Sequence, residues 1–479
     1  MTDNPSPALA LQQVAYNTIT AFFNAHKDRL TEIIVLPPAI EPEDGISMQD
    51  GINLGVPKKI LALAFLEARA RFFQGVKENR VLSDDAFEAT HTILLFDPEH
   101  LTAANHRKRR LLHAQRLHKT NPSFHHLLHR ELVYTTTILT SPLHRQSKSP
   151  TLYNHRYWLL TTFLLPSPPS TSLFPSAAAY PSPDDSEEEH LEEASTIHES
   201  NPAKDPEFPS NLSILILREL TVVLKSGHRH PKNYYAFNYA RKLFDHVLSH
   251  HHRILPQKQP QGSHQDVTSP PDPPTTATTT GTGNTVLKDG KEEVCPTIIT
   301  TVTAALPIVA KWCTHTTHAA DISGYSFLLY LLCLRTSLVR NHVSDAPESS
   351  IIHTSSDDPT TAVREKAEDV NTSTILYILD TVVKIRLSTL APYLFLRESV
   401  ADGAVLGGGG DVAGVLRERV GKEVSGVPLE GAGGVVVEEE GSKSGDGKVS
   451  FEDRIKVLGE WLDEDICKDR QTALGARDA

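Results

Sequence analysis

Cysteine and long apolar runs are both scarce in this chain. Its 479 residues include four cysteines, at positions 295, 313, 333 and 467, and no two of them form a Cys-x-x-Cys pair. This spacing excludes a disulfide framework and a zinc finger built from such pairs. No uninterrupted apolar run reaches the ~18 residues that a helix needs to cross a bilayer, so we expect no stable membrane insertion.

An excess of positive charge is also missing. The chain has 47 Lys and Arg residues against 59 Asp and Glu residues, a net charge of −12. A general nucleic-acid-binding protein needs a basic footprint, so we expect no nucleic-acid partner. The basic segment 107–110 with Arg116 leaves a local nucleic-acid patch as a weaker alternative to a solvated helix face. Residues 1–10 have no basic region followed by an apolar core, and we expect a cytoplasmic protein.

Four segments have the composition of disordered chain. Residues 166–209 are Pro-rich and acidic, 255–293 are rich in Pro, Thr and Gly, 343–370 in Ser, Asp and Thr, and 402–449 in Gly. Such segments cannot bury enough apolar surface to offset the loss of chain entropy on folding. The sequence therefore predicts a folded part that is interrupted by long insertions.

The rest of the chain places apolar residues at helical spacing. No segment shows the alternation of a convincing strand, and the nearest is the valine run 435–437. Many helices joined by loops of unequal length predict an all-α fold, a superhelical solenoid of helical hairpins similar to tetratricopeptide arrays. The predicted helices are 8–25, 57–75, 84–96, 100–118, 123–139, 151–165, 211–226, 233–254, 297–313, 323–341, 373–398 and 450–463.

A short pattern recurs at residues 97–108, 148–158 and 231–241, with a weaker copy at 321–328. Each copy has a polar or Pro-containing cap, and then a helix with an aromatic-type position near its start. That position is Ala104, Tyr153, Phe237 and Tyr325 in the four copies. In three copies an asparagine follows it and an arginine stands three or four residues after it; these are Asn105 and Arg107, Asn154 and Arg156, and Asn238 and Arg241.

This pattern resembles the repeat of protein prenyltransferase alpha subunits, roughly Asn-Pro-x-x-Tyr-x-x-Trp-x-x-Arg-Arg. The sequences Lys-Asn-Tyr-Tyr-Ala-Phe at 232–237 and Ser-Pro-Thr-Leu-Tyr-Asn-His-Arg at 149–156 are similar to the family's own. The late Asp-Ile-Ser-Gly-Tyr at 321–325 is most similar to the divergent alpha-repeat-containing branch. The chain departs from the pattern at Ala104, Ala240 and Leu328.

The spacing of the copies defines the expected domain organisation. The aromatic-type positions are 49, 84 and 88 residues apart, and removing the segments 166–209 and 255–293 leaves 40 and 49 residues for the two longer gaps. These distances suit one hairpin each, because a solenoid tolerates insertions between hairpins. We expect N-terminal helices at 1–82, repeats one and two at 83–165, repeat three at 210–254, repeat four at 294–342, C-terminal helices at 371–401 and a terminal helix and tail at 450–479, with disordered segments at 166–209, 255–293, 343–370 and 402–449.

The resemblance implies an alpha-type subunit of a heterodimeric protein prenyltransferase. Such an enzyme transfers a geranylgeranyl or farnesyl group to a C-terminal cysteine of a small GTPase-like acceptor. The isoprenoid diphosphate is its co-substrate, and zinc is expected in the partner beta subunit. This chain is expected to bind no metal or cofactor by itself and to be inactive alone. The alternative is a non-catalytic helical-repeat scaffold for a GTPase or a vesicle-trafficking protein, which the departures from the repeat pattern favour.

Two lysines are the candidate catalytic residues. Lys148 and Lys232 each stand five residues before an aromatic-type position, at the start of a predicted helix. The resemblance implies that a lysine at this place contacts the diphosphate, and a helix N-terminus adds positive potential there. Asn233 and Tyr234 are the accompanying candidates for substrate contact. The alternative for either lysine is a solvated surface residue.

The other repeat residues have two interpretations. In one they line an interface with the beta subunit; in the other the aromatic packs between hairpins and the arginine ties down carbonyls or a carboxylate of the next repeat. The residues concerned are Asn105, Arg107, Tyr153, Asn154, Arg156, Phe237, Asn238, Arg241 and Tyr325. The histidine clusters at 125–129, 246–252 and 313–318 lack a matching second set of ligands, so no metal site is predicted.

Overall fold

The computed structural model describes residues 7–78, 83–118, 122–166, 211–251, 296–344, 359–401, 412–424 and 449–463. These residues form fifteen helices and one small sheet, which confirms the prediction of a mostly helical protein. The helices are α1 Pro7–Ala25, α2 Lys58–Lys77, α3 Asp84–Phe96, α4 Leu101–His118, α5 Pro122–Thr140, α6 His144–Ser147, α7 Pro150–Leu159, α8 Asn211–Arg229, α9 Tyr234–His251, α10 Pro296–Thr314, α11 Ile322–Ser344, α12 Pro359–Lys384, α13 Leu390–Ala401, α14 Val412–Val424 and α15 Phe451–Asp463. A π-helical turn, Leu160–Leu164, continues α7.

A three-stranded sheet stands between α1 and α2, and the expectation that the chain contains no strand was wrong. Strands β1 Ile33–Leu36, β2 Met48–Asp50 and β3 Asn53–Pro57 have the order β1-β3-β2, with β1 parallel and β2 antiparallel to β3. Strands of three to five residues are too short to show a period of two above chance. The end of α5 fixes the sheet, because the Ser141 hydroxyl accepts a 3.0 Å hydrogen bond from the Ile33 amide.

The helices from α3 to α13 pack as hairpins in two layers. The hairpins are α3/α4, α5/α7, α8/α9, α10/α11 and α12/α13. In one layer α5, α8, α10 and α12 contact each other in chain order, and in the other α4, α7, α9, α11 and α13 do so. A continuous apolar core runs between these layers.

The short turns within the hairpins adjoin one another along one side of the molecule, which we call the turn edge. It consists of residues 97–100, 141–149, 230–233, 315–321 and 385–389. Each turn is hydrogen-bonded to the next, so the starts of α7, α9, α11 and α13 are held in a row. The bonds are Ser149 Oγ to the Pro98 carbonyl (3.2 Å), Asn233 Nδ2 to the Ser147 carbonyl (2.8 Å), the Lys232 amide to Asp321 Oδ2 (2.6 Å) and Thr389 Oγ1 to the Ala319 carbonyl (3.1 Å).

The long connections from α7 to α8 and from α9 to α10 start and end at the helix ends that are far from the turn edge. Helix α7 begins at the turn edge and α8 ends there, so residues 165 and 211 stand at their far ends. With a rise of about 1.5 Å per residue, these attachment points lie about 20–30 Å from the turn edge. The predicted disordered segments 166–209 and 255–293 lie outside the described residues, apart from Pro166.

Three predicted boundaries were wrong in the C-terminal third. The segments 343–370 and 402–449 were expected to be disordered, but α12 begins at Pro359 and α14 occupies Val412–Val424. Leu416 and Val420 of α14 are both 1% exposed, so an apolar pair at helical spacing outweighs the glycines around it. The predicted helix 373–398 is divided at Arg386, whose φ of 48° is left-handed and ends α12.

Helices α10 and α11 contain stretches that are long and apolar enough to cross a membrane by length and composition, Thr297–Thr314 and Ile322–Arg340. Of these stretches, 50% and 56% are buried inside the protein. The two helices pack against each other and against α8, α9, α12 and α13. Their apolar composition is therefore accounted for by the core between the layers.

Candidate functional site

Helix caps build the turn edge. Ser149, Asn233 and Asp321 precede α7, α9 and α11, and the side chain of each accepts a hydrogen bond from the first turn of its helix. All three are buried, at 1% exposure or less. The Asn233 amide nitrogen also donates to the Ser147 carbonyl and to Ser226 Oγ. Asn233, a candidate for substrate contact, therefore directs its side chain into the protein.

The two candidate lysines lie on neighbouring turns, 141–149 and 230–233. Lys148 is half-buried, and its Nζ is 3.4 Å from His144 Nε2. Lys232 is exposed and has a left-handed φ of 60°, which strains a non-glycine residue. Its amide donates to the buried Asp321 carboxylate, which holds that conformation. The hydrogen bond from Asn233 to Ser147 joins the two turns directly beside the lysines.

Further cations surround these turns. We define the cationic cluster as Lys148, Lys225, Arg229 and Lys232 together with His144 and His230. Burial and the charges of His144, Lys148 and Arg229 together lower the pKa of His230 to about 4, so its ring is neutral at pH 7 and adds no charge to the cluster. Burial also lowers the pKa of Lys225 to about 8, with Arg229 adding to the effect. Glu32 forms an ion pair with Arg229. The four Lys and Arg side chains of the cluster thus outnumber the carboxylates of Glu32 and Asp321, which suits a polyanionic ligand.

The aromatic positions of the repeat are buried between hairpins. The Tyr153 hydroxyl is 2.8 Å from Ser226 Oγ, the Phe237 and Trp312 rings are 5.4 Å apart, and the Tyr325 hydroxyl donates to the Cys313 carbonyl. Ala104, in the first copy, is 2% exposed. The neighbouring polar residues reach the surface instead: Asn105 and Asn154 are exposed, Asn238 is half-buried and Tyr234 is 58% exposed.

Two repeat arginines form buried ion pairs. Arg107 Nε and Nη2 each lie 2.7 Å from an oxygen of Glu131, and Arg156 lies 2.7 and 2.8 Å from the two oxygens of Glu219. Every one of these side chains is 3% exposed or less, so none lies on a surface that a partner protein could contact in this conformation. Arg241 differs, because it is half-buried and donates to Ser326 Oγ.

Each buried carboxylate also binds the next repeat copy. Glu131 Oε1 is 2.7 Å from His155 Nε2, and Glu219 Oε2 accepts from the Tyr239 hydroxyl at 2.6 Å. Burial raises the pKa of Glu131, but Arg107 and His155 more than offset it and hold the pKa well below its usual range. One glutamate therefore links an arginine of one copy to a polar residue of the following copy.

Sequence reasoning missed Glu131 and Glu219, although a signal was present. Both stand in the tripeptide Arg-Glu-Leu, at 130–132 and 218–220, on the helix that precedes a repeat copy. Helix α10, which precedes the fourth copy, contains no Asp or Glu. The third copy has Ala240 at the arginine place, and the fourth has Phe327 at the place of His155 and Tyr239. Apolar packing thus replaces the ion pair there, with the Phe237 and Phe327 rings 5.7 Å apart.

The histidine clusters and the basic segment singled out in the sequence are placed as follows. Among the described residues no group of three or more His, Cys, Asp or Glu is placed to hold a metal ion. Within 313–318, His318 stacks on the Trp312 ring at 4.0 Å, and its Nε2 is 2.9 Å from His228 Nδ1. The basic segment 107–110 is split, because Arg107 is buried and Arg110 pairs with Asp84.

No protein-family model matches the chain, and no curated protein matches it. The interpretation of the turn edge therefore rests on the repeat residues and on their placement in the structure.

Proposed function

We propose that this chain is the alpha-type subunit of a heterodimeric protein prenyltransferase, and that its two layers of hairpins form a superhelix that presents the turn edge to a beta subunit. The observation that carries the proposal is the placement of Lys148 and Lys232 on neighbouring turns, at the starts of α7 and α9, inside the cationic cluster. The order and spacing of the repeat copies support it, since each copy begins at the turn edge.

The proposed reaction transfers an isoprenoid group from its diphosphate to a C-terminal cysteine of a small GTPase-like acceptor. The acceptor sulfur forms a bond to C1 of the isoprenoid, the bond from C1 to oxygen breaks, and diphosphate leaves with the electron pair. Zinc in the beta subunit would supply the lowered thiol pKa of the acceptor. This chain would supply cations that stabilise the charge developing on the leaving diphosphate.

The structure suggests separate tasks for the residues around the two lysines. Lys232 is exposed on a backbone fixed by Asp321, and Lys148 lies beside His144, so both ammonium groups are available at the turn edge. Tyr234 is exposed at the first position of α9, next to Lys232, and is the residue placed to contact the substrate. Asn233 holds the two turns together. The exposed Asn105 and Asn154, with Asn238, are the repeat residues placed for the interface.

Co-expression with a prenyltransferase beta subunit of the same organism tests the proposal. We expect a stable heterodimer that transfers labelled geranylgeranyl groups, whereas the chain alone transfers none. Lys148→Ala or Lys232→Ala should lower turnover by about 100-fold, the effect of removing one preorganised charge-stabilising group, and leave the heterodimer intact. Lys59→Ala on α2 is the matched control, because Lys59 is exposed and lies outside the cationic cluster. Unchanged turnover in both variants would refute the diphosphate role.

The alternative function is a non-catalytic helical-repeat scaffold for a GTPase or a vesicle-trafficking protein. Around Ala240 and Phe327, apolar packing stands where the earlier copies have a buried ion pair. The fourth copy thus keeps the packing of the repeat without its polar residues, which favours the scaffold. A heterodimer without transfer activity, or binding of a GTPase without a beta subunit, would support this alternative.

A further inference from the structure

A cavity of about 360 Å³ lies where the end of α1 meets α3, α4 and α5. Ligand pockets of proteins usually have volumes of about 300–1,000 Å³, so this one suits a small molecule. None of its lining residues belongs to the turn edge or to the cationic cluster. The cavity is therefore a separate feature of the N-terminal part of the chain, and the proposed function does not use it.

The walls of the cavity are aromatic. Phe23, Phe87, His91 and Tyr134 all line it. The His91 ring is 5.3 Å from that of Phe23, 5.1 Å from that of Phe87 and 4.6 Å from that of Tyr134, so the four rings form one cluster. Rings arranged in this way favour a planar aromatic ligand, through stacked and edge-to-face contacts.

Arg107 lines the cavity with its guanidinium between two of these rings, 4.4 Å from the centre of Phe87 and 4.1 Å from that of Tyr134. A guanidinium has five N–H donors. Four are used, two by Glu131 and one each by Thr90 Oγ1 and His91 Nε2. Within the described part of the chain, the remaining Nη1–H has no partner. A buried donor of this kind favours a ligand with an acceptor oxygen.

His91 is held neutral beside this arginine. Its Nδ1 lies 3.2 Å from the Glu88 carbonyl, which leaves Nε2 to accept from Arg107. Burial lowers the pKa of His91 well below its usual value, and the charge of Arg107 lowers it further. Among the described residues, the Arg107 guanidinium is therefore the one charged group in the interior of the cavity, and Glu131, which does not line the cavity, pairs with it.

The rim of the cavity carries two further cations. Lys27 and Arg29 are exposed and line the opening, and within the described residues neither side chain has an ion-pair partner. The other lining arginines are matched by carboxylates, Arg110 by Asp84 and Arg130 by Asp28, and the lining Glu88 carboxylate accepts from Asn24 Nδ2, which leaves two rim cations against one such carboxylate. Unmatched positive charge at the mouth of an aromatic cavity favours a ligand with an anionic group at one end.

We propose that this cavity binds a small planar aromatic carboxylate. Its ring packs on the cavity side of the aromatic cluster, against Phe23, Phe87 and Tyr134. Its carboxylate pairs with Lys27 and Arg29, and an oxygen at the other end of the ring accepts from the remaining Nη1–H of Arg107. The compound 6-hydroxy-2-naphthoate has these three features and serves as the probe, and 2-naphthol, which lacks the carboxylate, serves as the matched control compound.

Isothermal titration of the full chain with both compounds tests the proposal. We expect saturable binding of 6-hydroxy-2-naphthoate at one site and binding of 2-naphthol that is weaker by about tenfold or more. The double variant Lys27→Glu/Arg29→Glu should weaken naphthoate binding by about tenfold. The double variant Lys58→Glu/Lys59→Glu, which changes two exposed lysines on α2 outside the cavity, should leave it unchanged.

A cavity-filling variant tests the location. Leu127 lines the cavity and is half-buried, so Leu127→Trp should abolish naphthoate binding. Circular dichroism and a thermal melt check that this variant is folded. If it is unfolded, the location of the site is tested by Lys27→Glu/Arg29→Glu and its control Lys58→Glu/Lys59→Glu alone. Absence of saturable binding at millimolar naphthoate, equal affinity for 2-naphthol, or an unchanged affinity in Lys27→Glu/Arg29→Glu would overturn the proposal. None of these measurements involves a beta subunit, so they are independent of the proposed function.

Discussion

Glu219 is the position at which a single change should destabilise the protein most clearly. Its carboxylate accepts two hydrogen bonds from Arg156, at 2.7 and 2.8 Å, and one from the Tyr239 hydroxyl at 2.6 Å. The Glu219 and Arg156 side chains are both 3% exposed. The substitution Glu219→Gln keeps the shape of the side chain but removes the negative charge that faces the buried Arg156 guanidinium.

The expected magnitude follows from this burial. Removing one partner of a buried ion pair typically costs about 3–5 kcal/mol, since the remaining charge cannot return to water. Replacing both partners by apolar residues is often close to neutral. We therefore expect Glu219→Gln to lower the free energy of unfolding by about 3–5 kcal/mol, and Arg156→Met/Glu219→Met to lower it by much less.

Urea unfolding, followed by circular dichroism, measures both variants under the same conditions. The control is Asp380→Asn, because Asp380 is 55% exposed and its ion pair with Arg419 lies at the surface; this change should cost less than about 1 kcal/mol. The reasoning is refuted if Glu219→Gln costs no more than the control. It is also refuted if the double variant is as unstable as the single one.

Two further predictions concern pH and helix packing. Burial, aided by His228, lowers the pKa of His318 to about 3, below its ordinary value of 6.5, so the unfolded chain binds a proton that the folded chain does not. Its contribution to stability is complete above pH 6.5 and is lost as the pH falls towards 3. Between these pH values, the unfolding midpoint should fall less steeply with falling pH in His318→Gln than in the wild type. In His113→Gln, the exposed control, the pH dependence of the midpoint should be that of the wild type. A Cβ on Gly324 would lie 2.5 Å from the Trp312 ring, so Gly324→Ala should lower stability by about 1–3 kcal/mol. A Cβ on Gly421 of α14 would meet no atom within 4 Å among the described residues, apart from its chain neighbours and its own helix backbone. Gly421→Ala should therefore raise stability by up to about 1 kcal/mol, and a melt in which both variants shift in the same direction would contradict this.

Local patterns predicted most of the helices. Stripes such as Ile60, Leu61, Ala64, Ala68 and Phe72 on α2 are buried as the 3.6-residue period requires. The caps of the repeat helices were also visible, because Ser149, Asn233 and Asp321 are residues that favour the position before a helix. The sheet was not visible, since its strands are short and are held by hydrogen bonds from distant residues such as Ser141.

The candidate site was predictable only in part. The sequence repeat identified Lys148 and Lys232 as alternative candidates for the diphosphate-contacting lysine. It could not show that a hydrogen bond from Asn233 to Ser147 places the two lysines on adjoining turns. Nor could it assign Glu131 and Glu219, which lie 24 and 63 residues from their arginines. Long-range pairing depends on how the helices pack, and a single sequence carries no direct record of it.

The remote attachment of the longer connections has a practical consequence. Residue 165 follows the end of α7 and residue 211 begins α8, and both lie at the ends of these helices that are far from the turn edge. Both helices are held in the protein by contacts with their neighbours, so the covalent connection between residues 165 and 211 is not needed to hold them in place. We expect a protein cut within 167–210, or expressed as two fragments divided there, to reassemble into one body through the contacts of α5 with α8 and of α7 with α9. Fluorescent labels placed at the two new termini would then report reassembly without touching the lysines.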